Sequence, residues 1–337
     1  MKTYYLLRIA SWLSRYLPSW LGYWLCSLFG SILFYTDLSV RRAVMDNMRH
    51  VLPNAPARAR RDIARRVVTN TFKNYYDMVR LPHLSREDVE RMVELHGVEH
   101  LEQAYAQGRG AIIISGHLGN FNLVAQLAAI RGYPVATIAE DIKPAKLYNY
   151  VNSLRARFGL KFIKAGSSQV RTIYRFLRNK GVLMLAADRD VSDTGVPVQF
   201  FDAMADLPAG PVVLALRLKC PLVPGHTVRL PNNKSVVYLY PPLELERTGD
   251  YEQDIRVNLR KVAQVLEQMI LKAPDQWVVL QRVWDKDYTI SVAGTGTGPL
   301  KSTPDEAGEP LAPAVGTDLQ SFPFPLSGSD HQPAITR

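Results

Sequence analysis

The chain has 337 residues, of which 47% are hydrophobic and 21% charged, and this composition fits a globular protein with a substantial core. Its two cysteines, Cys26 and Cys220, are too few for a disulfide framework or a thiolate metal site and favour a reducing compartment. The net charge of +10 indicates an anionic partner, which is either a lipid surface or a nucleic acid.

The basic charge is concentrated in the first 80 residues, which hold thirteen Lys and Arg and four acids, a net charge of +9. Residues 16–36 form an uncharged run rich in Trp, Tyr, Leu and Phe, long enough for one bilayer crossing of about 20 residues. This run predicts attachment to a membrane, by spanning it or by lying in its interface. A buried pair of helices is the alternative. Because the basic charge adjoins this run, an anionic membrane surface is favoured as the partner over nucleic acid.

Three basic residues precede the uncharged run and ten follow it before residue 81. Loops that remain in the cytoplasm carry such an excess of Lys and Arg. The body of the protein is therefore expected on the cytoplasmic face of the cell (inner) membrane.

The remaining elements are predicted from hydrophobic periodicity. Two helices follow the run, at 38–51 and 56–80. Strands at 111–115, 134–139, 161–165 and 182–187 then alternate with helices at 120–131, 145–158 and 168–179. Further along are an extended segment at 196–201, a helix at 209–219, strands at 221–229 and 235–240, and a helix at 251–272. Gly132, Gly159 and Gly181 are interpreted as C-terminal caps of helices. The alternation predicts an α/β fold with a mainly parallel central sheet flanked by helices.

The composition changes near residue 293, where Gly, Thr, Ser, Pro and Asp dominate and periodicity ends. Residues 291–337 are therefore predicted to be a disordered tail. Residues 1–37 are interpreted as an N-terminal membrane anchor. Residues 38–290 are interpreted as the α/β domain, including an N-terminal helical subdomain.

A polar turn follows the strand at 111–115 and contains His117, Gly119, Asn120 and Asn122. Turns at the carboxyl edge of a parallel sheet carry the chemistry of many α/β enzymes. A neutral histidine there can act as general base toward a hydroxyl when a carboxylate orients its second ring nitrogen. Gly119 would let the backbone approach a substrate, and Asn120 beside it is a second candidate for substrate binding. Taken alone, the histidine also fits an ordinary loop position. No spacing typical of metal ligands occurs, so no metal is predicted.

At these residues the sequence resembles a known family. The segment His117-Leu-Gly-Asn-Phe-Asn122 is similar to the His-x4-acid block of the bacterial lysophospholipid-acyltransferase-like superfamily. The resemblance points to the branch of the lipid A lauroyl/myristoyl acyltransferases and the phosphatidylinositol mannoside acyltransferases, and it covers roughly residues 1–285. Further matching segments follow in the same order: Asn47-Met-Arg-His-Val-Leu-Pro53, Ala187-Asp-Arg-Asp190, Gly195-Val-Pro-Val-Gln-Phe-Phe201, Leu207-Pro-Ala-Gly-Pro211, Pro221-Leu-Val-Pro224 and Asp275-Gln-Trp277 with Trp284.

The resemblance implies a membrane-associated O-acyltransferase. Such an enzyme moves a fatty acyl group from a thioester of acyl carrier protein or coenzyme A to a hydroxyl of a membrane (glyco)lipid. The thioester is a co-substrate, and no bound cofactor is expected. By the same resemblance His117 is the general base.

The sequence departs from the family at Asn122, where an acid is expected. An amide accepts a hydrogen bond from the imidazole ring but gives no charge to an imidazolium, so another carboxylate must take this role. The candidates are Asp188, Asp190 and Glu140. If none does, the chain is a catalytically impaired lipid-binding or scaffold protein of the same fold.

Two arginines are candidates for binding the phosphates of a substrate. Arg189 follows the strand at 182–187, with a structural Arg–Asp pair as the alternative. Arg171 begins a stripe with Arg175 and Arg178 on one helix face, and a solvated helix face is the alternative there. Three phenylalanines are candidates for an acyl groove or for ordinary core packing: Phe121, Phe200 and Phe201.

Overall fold

The computed structural model describes residues 2–190, 194–284 and 286. The helices are α1 (Lys2–Ser14), α2 (Ser19–Thr36), α3 (Leu38–Val51), α4 (Ala57–Arg80), α5 (Arg86–Met92), α6 (Val98–Ala106), α7 (Phe121–Ile130), α8 (Ala145–Arg155), α9 (Val170–Arg178), α10 (Gly210–Leu218) and α11 (Tyr251–Lys272). The strands are β1 (Val93–His96), β2 (Ala111–Ser115), β3 (Val135–Ala139), β4 (Lys161–Lys164), β5 (Val182–Ala186), β6 (Val196–Phe200), β7 (Ala203–Leu207), β8 (Leu222–Arg229) and β9 (Ser235–Leu239).

Seven of these strands form one sheet in the order β1-β9-β8-β2-β5-β3-β4. Neighbouring strands run parallel except β8 and β9, which are antiparallel. The central strand β2 reads Ala-Ile-Ile-Ile-Ser, and its first four residues are buried, as expected for a parallel strand covered on both faces. The predicted α/β fold with a mainly parallel sheet flanked by helices is therefore confirmed.

Four short elements were not predicted, namely α5, β1, α6 and β7. The strand β1 has four residues with only one of them buried, too little to give a periodic signal. The extended segment at 196–201 becomes β6, and it pairs with β7 in an antiparallel hairpin separate from the main sheet. These elements form through tertiary contacts that a local pattern does not reveal.

The predicted glycine caps are confirmed at two of three positions. Gly132 and Gly159 have φ of 88° and 100° and follow α7 and α8. The cap prediction for Gly181 is wrong, because the left-handed residue after α9 is Lys180, with φ of 60°. Gly181 serves packing instead, since a Cβ atom there would lie 2.4 Å from the ring of Phe176.

The N-terminal helices pack against α4 rather than against the sheet. Helix α2 approaches α4 closely at Gly22 and Gly30, where added Cβ atoms would lie 2.1 Å from the Tyr76 ring and 2.7 Å from Thr69 Cα. Only glycine allows this spacing at either position.

Helix α1 has its polar and apolar sides reversed relative to an ordinary surface helix. Ser11 and Ser14 point inward, and the Ser11 hydroxyl donates to the Val79 carbonyl oxygen at 2.9 Å. The outward face of α1 and α2 is apolar and aromatic. Its exposed members are Tyr5, Leu6, Ile9, Trp12, Leu13, Tyr16, Trp20, Trp24, Leu28, Phe29, Ile32 and Tyr35, together called here the outer face.

No helix among the described residues combines the length and apolar content that a bilayer crossing requires. The predicted tail, residues 291–337, and the last four residues of the predicted α/β domain, 287–290, lie outside the described residues.

Candidate active site

Two parallel strands carry the site, and their register brings its residues together. In the pairing of β2 with β5, Ser115 lies opposite Ala186. His117 and Asp188 each come two residues after these partners. Because parallel strands end at one edge of the sheet, both side chains reach the same carboxyl edge. The backbone continues the pairing, since Ala187 N donates to Ser115 O at 2.9 Å.

Asp188 accepts hydrogen bonds on both carboxylate oxygens. The Nδ1 atom of His117 lies 2.8 Å from Oδ1, and the backbone N–H of His117 donates to Oδ2 at 2.8 Å. The indole Nε1 of Trp277 also donates to Oδ2, at 2.7 Å. The Asp188 side chain is fully buried, whereas that of His117 is 24% exposed.

Burial alone raises the pKa of Asp188, but the attraction of the His117 ring and the hydrogen bonds from His117 and Trp277 outweigh it. Together they hold the pKa of this carboxyl at about 2. Asp188 is therefore an anion at neutral pH and can only accept hydrogen bonds. It follows that the Nδ1 atom of His117 carries a proton, and that a neutral ring has its free lone pair on Nε2.

The backbone of the turn that holds His117 is fixed by hydrogen bonds from other elements. Val278 N donates to His117 O at 2.9 Å, and Gly119 N donates to Gln276 O at 3.0 Å. Asn74 of α4 donates from Nδ2 to Gly119 O at 2.6 Å. The ring is thus held by a turn with few unpaired groups, which favours one orientation of the imidazole.

A buried ion pair lies beneath this turn. The Nη2 atom of Arg229, at the end of β8, lies 2.7 Å from Asp77 Oδ2 of α4, and both side chains are almost fully buried. Asn120 donates from Nδ2 to the same Asp77 oxygen at 2.7 Å. Tyr23 of α2 donates from its hydroxyl to Asp77 Oδ1 at 2.6 Å. Asp77 therefore joins α2, α4, β8 and the turn in one network.

Of the three predicted carboxylates, Asp188 is the one hydrogen-bonded to the His117 ring. Asp190 accepts from Gly195 N at 2.6 Å, and Glu140 lies 3.2 Å from an Arg189 nitrogen in an ion pair. Asn122 is buried, 6% exposed, and its Oδ1 atom has no hydrogen-bond partner. The carboxylate that contacts the His117 ring therefore comes from Asp188 and not from position 122, where the family has an acid.

The predicted substrate-binding residues are spread over the fold. Gly119 has φ of 53°, and a Cβ atom there would lie 2.4 Å from Thr227 O, so this glycine permits packing against β8. Asn120 is fully buried and caps α7 by accepting from Leu123 N at 3.2 Å. Both positions are buried, and their roles in substrate binding stay predictions.

The two arginines lie in different surroundings. Arg189 is 21% exposed and bonds Glu140 and Gln281 just beyond Asp188. Arg171 lies in a groove between α9 and α10, lined by Val170, Arg171, Tyr174, Arg175, Arg178, Asn179 and Arg217. The lining of this groove contains neither His117 nor Asp188, so the structure does not bring Arg171 to the site.

An apolar cavity lies between α6, α7 and the sheet, and its lining includes Phe121 but neither His117 nor Asp188. Phe121 lies at the His117 end, with 5.5 Å between the two ring centroids. The lining is Leu95, Val98, Leu101, Ile113, Ser115, Phe121, Val124, Leu127, Ala128, Arg131, Tyr133, Met184, Gly225, His226, Thr227, Val237 and Leu239. Of the three phenylalanines considered for an acyl groove, only Phe121 belongs to this lining. Phe200 is fully buried and stacks on Trp284, and Phe201 is the hairpin residue with φ of 56°.

Sequence reasoning did not assign roles to Trp277, Asp77, Arg229 or Asn74. Trp277 belongs to a segment noted for its resemblance to the family, but nothing local indicates that its indole bonds Asp188. Asn74 and Asp77 lie one helical turn apart on α4, but their partners in the turn are 45 and 43 positions away and Arg229 is 155 and 152 positions away, so no local spacing connects them.

A parallel sheet with a histidine–carboxylate pair at its carboxyl edge, beside an apolar cavity, defines an α/β enzyme suited to acyl chemistry. Comparison with known proteins identifies the family. The chain belongs to the bacterial lipid A biosynthesis acyltransferases, whose family model matches residues 1–286.

Curated relatives include the phosphatidylinositol mannoside acyltransferases of two mycobacteria. The protein from Mycobacterium tuberculosis (strain ATCC 25618 / H37Rv) is 26% identical over 250 residues, which cover 73% of this chain and 77% of the relative. The one from Mycolicibacterium smegmatis is 25% identical over 247 residues, 72% of this chain and 79% of the relative. The chain is thus an acyltransferase of lipid biosynthesis, with a lipid acceptor and an acyl donor as its partners.

The geometry gives opposite expectations for two substitutions. Asp188→Asn removes the charge next to the His117 ring and is expected to lower kcat for acyl transfer by up to roughly 10⁴-fold, as the equivalent change does in the Ser-His-Asp triad. Asn122→Asp is expected to give no gain in kcat, because the Nδ1 atom of His117 is already hydrogen-bonded to Asp188. Initial rates of both variants, with thermal unfolding to verify the fold, test this. A large gain from Asn122→Asp would contradict the assignment of Asp188.

Proposed function

We propose that this acyltransferase moves a fatty acyl group from an acyl thioester to a hydroxyl of a membrane (glyco)lipid, with His117 as general base. The observation that carries the proposal is the His117–Asp188 hydrogen bond at the edge of the sheet, beside the apolar cavity. The thioester of acyl carrier protein or coenzyme A is a co-substrate.

The tautomer of His117 suits this role. The Nε2 lone pair takes the proton of the acceptor hydroxyl as its oxygen attacks the thioester carbonyl. A C–O bond forms and the C–S bond breaks, and the imidazolium returns the proton to the leaving thiolate. Asp188, kept ionised by its hydrogen bonds, stabilises the imidazolium between these two steps.

The apolar cavity supports a fatty acyl chain as the group transferred. Most of its side chains are aliphatic or aromatic, and burial of hydrocarbon is favourable by about 0.8 kcal/mol for each methylene. The cavity follows α7 from Phe121 near His117 to Arg131 at the end of the helix. An acyl chain lying along it would have its thioester carbonyl at the histidine.

The outer face of α1 and α2 supports an acceptor held in a membrane. A folded protein in water seldom exposes so many adjacent aromatic and aliphatic side chains, and a surface of this kind indicates a membrane or protein contact. Because α1 has its serines inside and its apolar side chains outside, water is not the environment that this helix suits. We infer that α1 and α2 lie in the interface of the cell (inner) membrane, on its cytoplasmic side.

The acceptor is proposed from the relatives. Their names specify a phosphatidylinositol mannoside, and the family model matches residues 1–286, which contain both the His117 turn and Asp188. A hydroxyl on a lipid headgroup at the bilayer surface would reach a site whose enzyme lies in the same interface.

The first prediction here concerns the base. Purified protein is incubated with palmitoyl thioesters of coenzyme A and acyl carrier protein and with vesicles of bacterial membrane lipid that include phosphatidylinositol mannoside. Wild type is expected to form acylated lipid, and His117→Ala to lose activity by at least about 10²-fold, because the general base is absent. Product formation is followed by mass spectrometry.

Equal transfer by wild type and His117→Ala would remove His117 as the base. An absence of transfer from wild type with either donor would favour the alternative, an impaired lipid-binding or scaffold protein.

A second prediction concerns the cavity. Ala128→Phe places a ring in the middle of its wall, so long acyl chains are expected to lose kcat/KM while short chains keep it. The ratio of kcat/KM for palmitoyl and octanoyl donors measures this within one variant. An unchanged ratio would show that the acyl chain does not enter the cavity.

A third prediction concerns the membrane. Trp20 and Trp24 are 70% and 56% exposed on the outer face. The double change Trp20→Glu/Trp24→Glu is expected to weaken binding to phosphatidylglycerol–phosphatidylethanolamine vesicles by at least about 10²-fold, because two aromatic anchors are replaced by charges. Arg86→Glu/Arg256→Glu, two exposed charge changes elsewhere, is the control. Flotation with vesicles gives the bound fraction, and equal flotation of wild type and the Trp variant would contradict the interfacial placement.

A further inference from the structure

One hydrogen-bonded chain connects the membrane-directed helix α2 with the turn of His117. The Tyr23 hydroxyl donates to one oxygen of Asp77 at 2.6 Å, and the other oxygen accepts from Asn120 at 2.7 Å. Asn120 is three residues after His117 and caps α7. Three side chains therefore span the distance between a helix with an apolar outer surface and the catalytic turn.

Tyr23 lies on the buried side of α2, next to the exposed tryptophans along the helix surface. It is 7% exposed, while Trp20 and Trp24, three residues before it and one after it, are among the most exposed side chains of the helix. The three residues lie on one turn of α2, so a contact that restrains the tryptophans also restrains the helix segment that carries Tyr23.

The carboxylate of Asp77 needs its donors because it is buried. Its side chain is 2% exposed, and it is shared by Tyr23, Asn120 and Arg229. A buried carboxylate oxygen that loses a hydrogen-bond donor must bond another donor or change its position, since an unsatisfied buried charge is costly. Loss of the Tyr23 contact therefore acts on Asn120 and on Arg229 together.

The hydroxyl of Tyr23 donates its hydrogen to Asp77. Burial, followed by the negative charge of Asp77, raises the pKa of Tyr23 far above its ordinary value, so the phenol keeps its proton. Arg80 donates from Nη1 to the phenol oxygen at 3.2 Å, and the same nitrogen lies 3.7 Å from Asp77 Oδ1. The ring also packs edge-on against Tyr76, with centroids 5.2 Å apart, and a phenylalanine would preserve this packing.

We propose that Tyr23 is a positioning residue that makes the order of the His117 turn depend on the seating of α2 on a membrane. Docking of the outer face stabilises α2 against α4, which keeps the Tyr23–Asp77–Asn120 chain closed and the turn in its active arrangement. In solution the exposed apolar surface weakens that seating, and the turn opens more often. By linkage, a closed chain in turn strengthens docking. This inference rests on the membrane placement in the proposed function.

The test uses hydrogen–deuterium exchange, which needs no acceptor or donor. Exchange is measured for peptides covering residues 116–124, with and without phosphatidylglycerol–phosphatidylethanolamine vesicles. In wild type, vesicles are expected to slow exchange in this segment by about tenfold or more, because a hydrogen bond to a charged group restrains its opening. In Tyr23→Phe the protein is expected to bind vesicles and to show no such slowing.

Tyr35→Phe is the matched control, because Tyr35 lies on the same helix with its ring on the outer face. It is expected to behave as wild type does. A purely structural role for Tyr23 would speed exchange equally with and without vesicles and would leave the vesicle effect intact, and this result would overturn the inference. The inference would also be overturned if vesicles left hydrogen–deuterium exchange of residues 116–124 unchanged in wild type.

The activity assay distinguishes this failure from a failure of the proposed function. Acyl transfer by wild type, without a vesicle effect on the turn, would leave the acyltransferase mechanism standing and remove the coupling alone. In the coupled enzyme, Tyr23→Phe lowers kcat on vesicles by about tenfold with the KM for the thioester donor unchanged. Wild type that does not bind vesicles would remove both the membrane placement and the coupling.

Discussion

A carboxylate without solvent exposure is the centre on which the site depends. Placing Asp188 inside the protein costs several kcal/mol in lost hydration, and three hydrogen-bond donors offset that cost. Two of the donors are the ring and the backbone N–H of His117, and the third is Trp277, 89 residues further along the chain than Asp188. The hydrogen bonds from His117 therefore help to stabilise the buried charge of Asp188. In turn, Asp188 fixes the orientation of the His117 ring.

The same arrangement explains how an amide is tolerated at residue 122. In the resembling family an acid one helical turn past the histidine is expected to orient the ring. Here β5 supplies that acid, because its register with β2 puts Asp188 level with His117. Asn122 is left in a buried position with its Oδ1 atom unpaired. A negative charge at residue 122 would add a second carboxylate near a site that already has one, and two such groups close together raise each other's pKa.

Much of the site was predictable, because it depends on local signals. The apolar run at 111–115 and the polar residues after it put His117 at the end of a strand, and the run at 182–187 did the same for Asp188. Since both strands were predicted to belong to one mainly parallel sheet, a shared carboxyl edge followed. The sequence did not predict which of the three carboxylates contacts the ring, because that depends on register to within one residue. Asp190 is only two residues further along and has a different partner.

The supporting network was not predictable from the sequence for a different reason. Asp77, Asn120 and Arg229 lie on a helix, a turn and a strand, and each residue type is unremarkable in its own segment. Only the packing of α4 across the end of the sheet brings them together. In the same way the stripe that begins at Arg171 was correctly placed on a helix, but the orientation of that helix puts it in a groove apart from His117.

Helix α4 is the element on which both halves of the described fold meet. On one side its Asn74 and Asp77 bond the His117 turn, and on the other its Thr69 and Tyr76 receive the glycines of α2. The sequence predicts a boundary after residue 37, between an N-terminal anchor and the α/β domain. The Tyr23–Asp77 hydrogen bond joins residues on the two sides of this boundary. A membrane enzyme that held its anchor only by a flexible link would gain local concentration at the bilayer. In the membrane placement proposed above, the contact of α2 with the His117 turn through Asp77 would also fix the orientation of that turn relative to the lipid surface.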